Sequence, residues 1–112
     1  MRSNDALLLD MLLAARKIVR FLDGLTEAEF QVNDLVQSAV LREFQVLGEA
    51  ARVIGEEART QYPDIPWHLI AGMRNRLVHA YFDVRLEVVW DTAHEDIPAI
   101  ITQLERILGS NS

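Results

Sequence analysis

The side chains best suited to chemistry lie in one eight-residue stretch, RNRLVHAY, at positions 74–81. Arg74 and Arg76 carry planar guanidinium groups that can bind phosphate or carboxylate through two hydrogen bonds. His79 is the residue type that gains or loses a proton near neutral pH, and Tyr81 adds a hydroxyl that can be modified. This stretch is therefore the candidate site of the chain.

These residue types permit cleavage of RNA without a metal ion or another cofactor. A neutral His79 can take the proton of a ribose 2′-hydroxyl or return a proton to the leaving 5′-oxygen. Arg74 can stabilise the charge that gathers on the phosphate, and the expected product is a 2′,3′-cyclic phosphate. A structural interpretation stays open, in which the helix dipole favours a histidine at a helix C-terminus and the arginines pair with Glu49 or Asp83.

The composition of the chain predicts an all-α protein. Its 112 residues are enough for one hydrophobic core, so we expect a single domain over residues 1–112. Half of the residues are hydrophobic and a quarter are charged, which is typical of a globular protein. Only five Gly and three Pro interrupt long segments rich in Leu, Ala, Glu and Arg, the residues that favour helices.

The net charge and the lack of cysteine exclude several classes of protein. A formal charge of −6 has the wrong sign for non-specific binding to nucleic acid, so a role on RNA must rest on local arginines. Without cysteine there is neither a disulfide framework nor zinc bound by thiolates. The apolar run at residues 6–15 is too short and too charged to span a membrane, so we expect a cytoplasmic protein with no membrane partner.

The hydrophobic pattern predicts four main helices in an up-and-down four-helix bundle. The first helix runs from residue 4 to about residue 23, with Ser3 or Asn4 as the N-cap and Gly24 as the stop. Its apolar residues cover more than one core-facing stripe. Either this helix packs on a second subunit, which we favour and which predicts a homodimer, or it is buried at the centre of the bundle.

Two further long helices frame the candidate site in the sequence. A capping box at residues 26–29 predicts a short extra helical turn near residues 27–32. The second long helix is expected over residues 33–60. The last is expected over residues 85–108, where Pro98 predicts a kink or a short break a few residues before it.

The candidate site lies on the third long helix, which is expected to begin at Pro66. The apolar stripe of this helix comprises Trp67, Ile70, Leu77 and Tyr81. Arg74 occupies the position that completes this stripe. Because burial of an unpaired charge is costly, we expect an arginine at this position to have a function.

The spacing of the polar residues makes a second prediction about this helix. Asn75 and His79 are four residues apart and share one helix face, so the Asn75 side chain could hold the imidazole in one orientation. Arg74 and His79 are five residues apart, about 140° around an ideal helix, and would diverge. They can converge only if the helix ends or loosens near His79, or if a second copy of the chain completes the site.

The motif and its flanks resemble a known family. The order Arg-x-x-x-x-His-x-Tyr is formed by Arg74, His79 and Tyr81. The flanking features are Gly-Glu-Ala at 48–50, Ile-Pro-Trp at 65–67, Val-Trp at 89–90 and a proline in the last helix. Together they are similar to the HepT family of HEPN-domain ribonucleases, and the similarity extends over nearly the whole chain.

The resemblance implies the toxin of a type VII toxin–antitoxin system, a helical homodimer that cleaves RNA in the cleft between its subunits. It implies that Arg74 and His79 are the catalytic pair. It also implies that Tyr81 accepts AMP from a cognate MntA-type nucleotidyltransferase antitoxin. Bulky, negatively charged AMP beside the site would block RNA. We expect Asn75 and Arg76 to support the catalytic pair.

Several residues outside the motif, and two alternative functions, must also be considered. Glu49 either approaches the site or forms a structural ion pair with an arginine. His68 and His94 lack the spacing of metal ligands, so no metal site is expected. The alternative functions are a non-catalytic helical subunit that binds a nucleotidyltransferase, and a purely structural bundle. Trp67 and Trp90 are expected in the core or an interface.

Overall fold

The computed structural model describes residues 3–80 and 83–110, with the backbone alone at residues 79, 80 and 110. These residues form eight helices and two short strands. The elements are α1 (Asn4–Leu22), α2 (Glu27–Gln31), α3 (Asp34–Val53), α4 (Glu56–Gln61), α5 (Trp67–Ala71), α6 (Met73–Leu77), β1 (Val78–Ala80), β2 (Asp83–Val84), α7 (Leu86–Glu95) and α8 (Ile97–Ser110).

The fold is an all-α helical bundle, as the composition predicted. Its four helical segments are α1, α3 with α4, α5 with α6, and α7 with α8. The helix α1 packs on α3 and α8, while α5 and α6 pack on α3. The short extra helix expected near residues 27–32 is α2. No helix in the described part of the chain has the length and apolarity needed to cross a membrane.

The predicted caps of the first two helices are confirmed. The Ser3 side chain accepts a hydrogen bond from the backbone of Ala6, and Gly24 follows the end of α1 with a φ of +79°. In α2 the Thr26 hydroxyl accepts from the backbone N–H of Glu29, whose carboxylate accepts from the backbone N–H of Thr26. These bonds satisfy groups that a helix end would otherwise leave unpaired.

The second long helix is shorter than predicted, because one helix over residues 33–60 is replaced by α3 and α4. The break lies at Ile54, which adopts an extended conformation and buries its side chain in the core. Beyond it, the backbone N–H of Gly55 donates to the side-chain oxygen of Asn4 at 3.2 Å. The Arg59 guanidinium donates to two carbonyl groups near the end of α3. Contacts with other parts of the fold therefore stabilise the break at Ile54, which the local sequence did not predict.

The third helix also differs from the prediction. Gly72, with φ −92° and ψ 0°, divides it into α5 and α6. The second part ends at Leu77, because Val78 is extended and pairs with Val84 on β2 in an antiparallel arrangement. The backbone N–H of Arg85 then donates to the Leu77 carbonyl at 2.8 Å. The prediction that this helix ends near His79 is thus confirmed, while a helical stripe that continues beyond Leu77 is wrong.

The last helix breaks where its proline predicted. The helices α7 and α8 are separated at Asp96, and Pro98 lies in the first turn of α8. A proline is tolerated in that turn because its missing N–H would have no partner within the helix.

Most of the apolar excess on α1 is buried within the chain itself. Its buried residues are Leu7, Leu8, Met11, Leu12, Ala14, Ala15, Ile18 and Leu22. The apolar residues that remain exposed are Leu9 at 44%, Leu13 at 45% and Val19 at 42%. A central position in the bundle, which was the alternative to a second subunit, accounts for the larger part of the pattern. The homodimer stays a prediction that rests on the exposed remainder.

A close approach of two backbones sets the position of α5 against α3. A Cβ atom placed on Gly48 in α3 would lie 3.2 Å from the carbonyl oxygen of Ile70 and 3.8 Å from that of Ala71. Any side chain at this position would push the last turn of α5 away. Gly48 therefore allows α5, and with it α6, to lie directly against α3.

We predict that Gly48→Ala lowers the free energy of unfolding, although alanine favours a helix. The added methyl group must displace the Ile70 backbone, and overpacking of this kind costs about 1 to 3 kcal/mol. Gly109→Ala is the matched control, since nothing lies within 4 Å of a Cβ built there. That variant should gain up to about 1 kcal/mol from helix propensity. The free energy of unfolding is measured by denaturant titration. An equal change in both variants would contradict the close approach of Gly48 to the Ile70 carbonyl.

Candidate active site

Arg74 lies on α6 at the wall of a cleft between α3 and α6. Its side chain is exposed, so the expectation that it completes a buried stripe is wrong. Met73 is fully buried and takes that place between Ile70 and Leu77. The break at Gly72 is the physical reason, because it turns α6 relative to α5 and directs Met73 to the core.

The cleft is lined by polar side chains from α3 and by apolar side chains beneath them. Its lining residues are Ser38, Leu41, Arg42, Phe44, Gln45, Arg74, Leu77, Val78 and Val84. A neighbouring depression shares Gln45 and Arg74 and is lined in addition by Gly48, Glu49, Arg52, Ala71 and Asn75. The two depressions share Gln45 and Arg74 and are together called the groove.

The guanidinium of Arg74 is uncommitted within residues 3–80 and 83–110, where it has neither a hydrogen bond nor an ion pair. Other arginines have defined partners. Arg16 pairs with Glu105 at 2.7 Å, and Arg59 donates to backbone carbonyls. The structural interpretation, in which Glu49 pairs with this arginine, therefore does not hold for Arg74. Its charge is available to a ligand.

Glu49 lines the groove together with Arg74 and also forms an ion pair with Arg52, while its supporting role at the site stays a prediction. One terminal nitrogen of Arg52 donates to both carboxylate oxygens, at 2.9 and 3.1 Å. The pair joins successive turns of α3 and is exposed to solvent. Its consequence for the groove is electrostatic, because Arg52 compensates a carboxylate that would otherwise repel an anion beside Arg74.

The structure brings Asn75 to the groove but not Arg76. Asn75 lines the same depression as Glu49 and Arg74. Arg76 instead contacts the segment of α7 and α8, where its guanidinium lies 3.4 Å from the Thr92 hydroxyl and 3.8 Å from the Asp96 carboxylate. The two arginines of the motif therefore differ in their contacts. Arg76 is bound to other parts of the fold, whereas Arg74 faces solvent.

The other two residues of the motif, His79 and Tyr81, follow the end of α6 in the sequence. His79 lies in β1, beyond the last residue of α6. The helical four-residue spacing that was to join Asn75 to His79 therefore does not exist, and the supporting role of Asn75 stays a prediction. The imidazole of His79 and all of Tyr81 lie outside the described part of the chain.

Sequence reasoning missed two groove residues, Arg42 and Gln45. They share one face of α3 with Glu49 and Arg52, at steps of three and four residues. Polar stripes of this spacing are usually solvated surfaces. The signal was therefore visible, but only the position of α6 shows that this stripe faces the candidate site.

His94 and the two tryptophans outside the motif have structural contacts. The His94 ring lies 2.8 Å from the Trp90 carbonyl through Nδ1, and the two ring centroids are 4.1 Å apart. Trp67 is buried and donates through its indole nitrogen to the Tyr62 carbonyl at 3.0 Å. In residues 3–80 and 83–110 no group of three or more His, Cys, Asp or Glu could hold a metal ion.

Comparison with known proteins finds relatives along nearly the whole chain. Residues 11–107 match the model of a family described as Ribonuclease HepT-like. In Methanocaldococcus jannaschii, "Putative RNase MJ1380" is 34% identical over 93% of this chain and 95% of its own. From the same organism, "Putative RNase MJ0125" is 38% identical over 96% of this chain and 92% of its own.

A relative from a second organism gives the same result. "Probable ribonuclease HepT" of Thermococcus cleftensis is 35% identical over 95% of this chain and 96% of its own. No solved structure matches the chain significantly. The family match and these relatives agree with the motif, the flanking residues and the helical fold, and on these grounds the chain belongs to the HepT-like ribonuclease family.

Proposed function

We propose that this protein is a metal-independent endoribonuclease in which Arg74 and His79 act on one phosphodiester of RNA. The observation that carries the proposal is the uncommitted Arg74 guanidinium in the groove of a chain that belongs to a ribonuclease family. An exposed arginine without a protein partner can bind a phosphate without first breaking a native ion pair.

The chemistry follows from the residue types. His79 accepts the proton of the ribose 2′-hydroxyl, and the 2′-oxygen attacks the adjacent phosphorus. The bond from phosphorus to the 5′-oxygen then breaks, and a proton returned by an imidazole neutralises that leaving oxygen. Arg74 stabilises the added negative charge on the phosphate in the transition state. The products are a 2′,3′-cyclic phosphate and a free 5′-hydroxyl.

The surroundings of Arg74 support this assignment over one to Arg76. The Arg76 guanidinium is held by α7 and α8, so its removal would loosen the fold. Asn75 lines the groove and is assigned a supporting role toward the substrate. Glu49 supports the site indirectly, through the ion pair that fixes it to Arg52.

We also propose that the enzyme is the toxin of a type VII toxin–antitoxin pair, silenced by transfer of AMP to Tyr81. The motif Arg-x-x-x-x-His-x-Tyr supports this step, because it puts the acceptor hydroxyl two residues from the catalytic histidine. The partner would be an MntA-type nucleotidyltransferase, which would join the Tyr81 oxygen to the α-phosphorus of ATP and release pyrophosphate. An added AMP beside the groove would exclude RNA by volume and by charge repulsion.

A homodimer completes the proposal. Leu9 and Leu13 share one face of α1 and are nearly half exposed, and Val53 on α3 is 58% exposed. Apolar side chains on a common helix face are suited to packing against a second copy of the chain. Val53 lines a depression between α1 and α3 that it shares with Arg42, Gln45 and Glu49 of the groove.

The first prediction is that Arg74→Ala and His79→Ala abolish RNA cleavage. Loss of a charge-stabilising donor costs about 10² to 10³ in kcat, and loss of an acid–base group costs about 10² to 10⁴. Cleavage by the wild type should persist in EDTA and leave 2′,3′-cyclic phosphate ends, which mass spectrometry of the products identifies.

Arg76→Ala provides the matched control for that experiment. It should keep the wild-type kcat in the folded protein but lower the free energy of unfolding by about 1 kcal/mol, because contacts to Thr92 and Asp96 are lost. Arg74→Ala should unfold within about 0.5 kcal/mol of the wild type. Full activity of Arg74→Ala, or inactivity of the wild type on every cellular RNA, would refute the enzyme.

The second prediction concerns the acceptor of AMP. Incubation with ATP and the partner nucleotidyltransferase should add one AMP mass to the wild type and none to Tyr81→Phe. Tyr62→Phe, at the other tyrosine of the chain, is the control and should be modified normally. Modification of Tyr81→Phe would show that the acceptor lies elsewhere.

The third prediction concerns the oligomer. The wild type should sediment with twice the mass of one chain, and Leu9→Glu with Leu13→Glu should shift it toward the monomer, because two charges would be buried in the interface. The paired change Val32→Glu and Leu35→Glu is the control at other exposed apolar residues. A monomeric wild type would contradict the proposed dimer.

A further inference from the structure

We propose that Arg42 forms a second phosphate subsite, which holds a backbone phosphate of single-stranded RNA next to the one being cleaved. This inference rests on the proposed function, since it assigns an extended substrate to the same groove. Arg42 is a positioning residue in this scheme, because it binds a phosphate that does not react.

The geometry places two arginines on one cleft. Arg42 enters it from α3 and Arg74 from α6, and both line the same depression. Ser38 and Gln45 line the same cleft, and their side chains can donate hydrogen bonds to phosphate oxygens. The cleft therefore offers a second cation beside the one assigned to the reacting phosphate.

The charge of Arg42 is available to a ligand. Its side chain is exposed, and within the described residues it has neither an ion pair nor a hydrogen bond. Arg52, ten residues further along α3, is instead paired with Glu49. At the Arg52 end of the groove the positive charge is neutralised by Glu49, whereas the charge of Arg42 is not neutralised. This difference favours an RNA strand that runs from Arg74 toward Arg42.

The length of the groove fits more than one phosphate. The seven residues from Arg42 to Glu49 span about 10 Å of helix axis. The whole chain carries a charge of −6, so such a local pair of cations is where an RNA backbone can be bound. A cut by Arg74 and His79 alone would need one phosphate, whereas a site with Arg42 selects a longer strand.

Binding of a cleavage-resistant substrate tests the subsite without the chemistry. The probe is a short single-stranded RNA whose 2′-oxygens are methylated, so that no 2′-hydroxyl can attack. Arg42→Ala should weaken its binding roughly tenfold and reduce the slope of log K against log salt by about 0.7. Arg42→Lys should recover the salt slope and part of the affinity, because it keeps the charge but not the fork.

Arg16→Ala is the matched control, because it removes the same charge from a residue paired with Glu105 on α1 and α8. It should leave both the affinity and the salt slope unchanged. Arg42 also borders the depression between α1 and α3 that holds Asp10, so sedimentation accompanies each measurement. Unchanged binding by Arg42→Ala, or a change in its oligomeric mass, would overturn the subsite.

Cleavage kinetics separate this inference from the proposed function. With an oligomer, Arg42→Ala should raise KM roughly tenfold and leave kcat unchanged. With a dinucleoside monophosphate, which has only the reacting phosphate, the variant should match the wild type. A wild type that binds RNA through Arg42 but never cuts it would refute the enzyme and keep the subsite. If the wild type cuts RNA and Arg42→Ala cuts it with the same KM and kcat, the subsite is refuted and the enzyme activity stands.

Discussion

The contact of α5 with α3 at Gly48 is the constraint on which the site depends. Because no side chain stands between the Gly48 backbone and the Ile70 carbonyl, the two helices meet at backbone distance. This packing carries α6 to the outer face of α3, where Arg74 faces Gln45 and Glu49. A wider separation would leave Arg74 on an open surface, with no groove to hold a strand of RNA.

Electrostatics distinguish two groups among six of the arginines. Arg16, Arg52, Arg59 and Arg76 are tied to carboxylates, hydroxyls or carbonyls of the fold. Arg42 and Arg74 meet in the cleft and, in the part of the chain that the structure describes, are tied to nothing. In an acidic protein two such cations in one cleft provide a local attraction for phosphate. Selective binding of RNA then depends on where positive side chains lack a carboxylate partner. The net charge of the chain is a poor guide to such binding.

The sequence predicted the parts of this arrangement that depend on local chemistry. The capping box of α2, the glycine stop after α1 and the break before Pro98 follow from residue types at fixed spacings. The motif around Arg74 and His79, with its flanks, indicated the HepT-like ribonuclease family that the comparisons then showed. Predictions of this kind need no knowledge of what packs against what.

The parts that failed depend on tertiary contacts. The break at Ile54 is stabilised by Asn4, which lies about fifty residues earlier in the chain, and no local pattern reports such a bond. The phase of α6 is set by Gly72, so Met73 became the core residue in place of Arg74. The polar stripe with Arg42 could be assigned to the groove only once α6 was placed beside it.

The role of Arg74 in binding RNA is tested most directly by a crystal structure of the protein with a cleavage-resistant, 2′-O-methylated RNA. We expect a phosphate within hydrogen-bonding distance of the Arg74 guanidinium, in the groove between α3 and α6. RNA bound on another face, with Arg74 paired to a protein carboxylate, would contradict it.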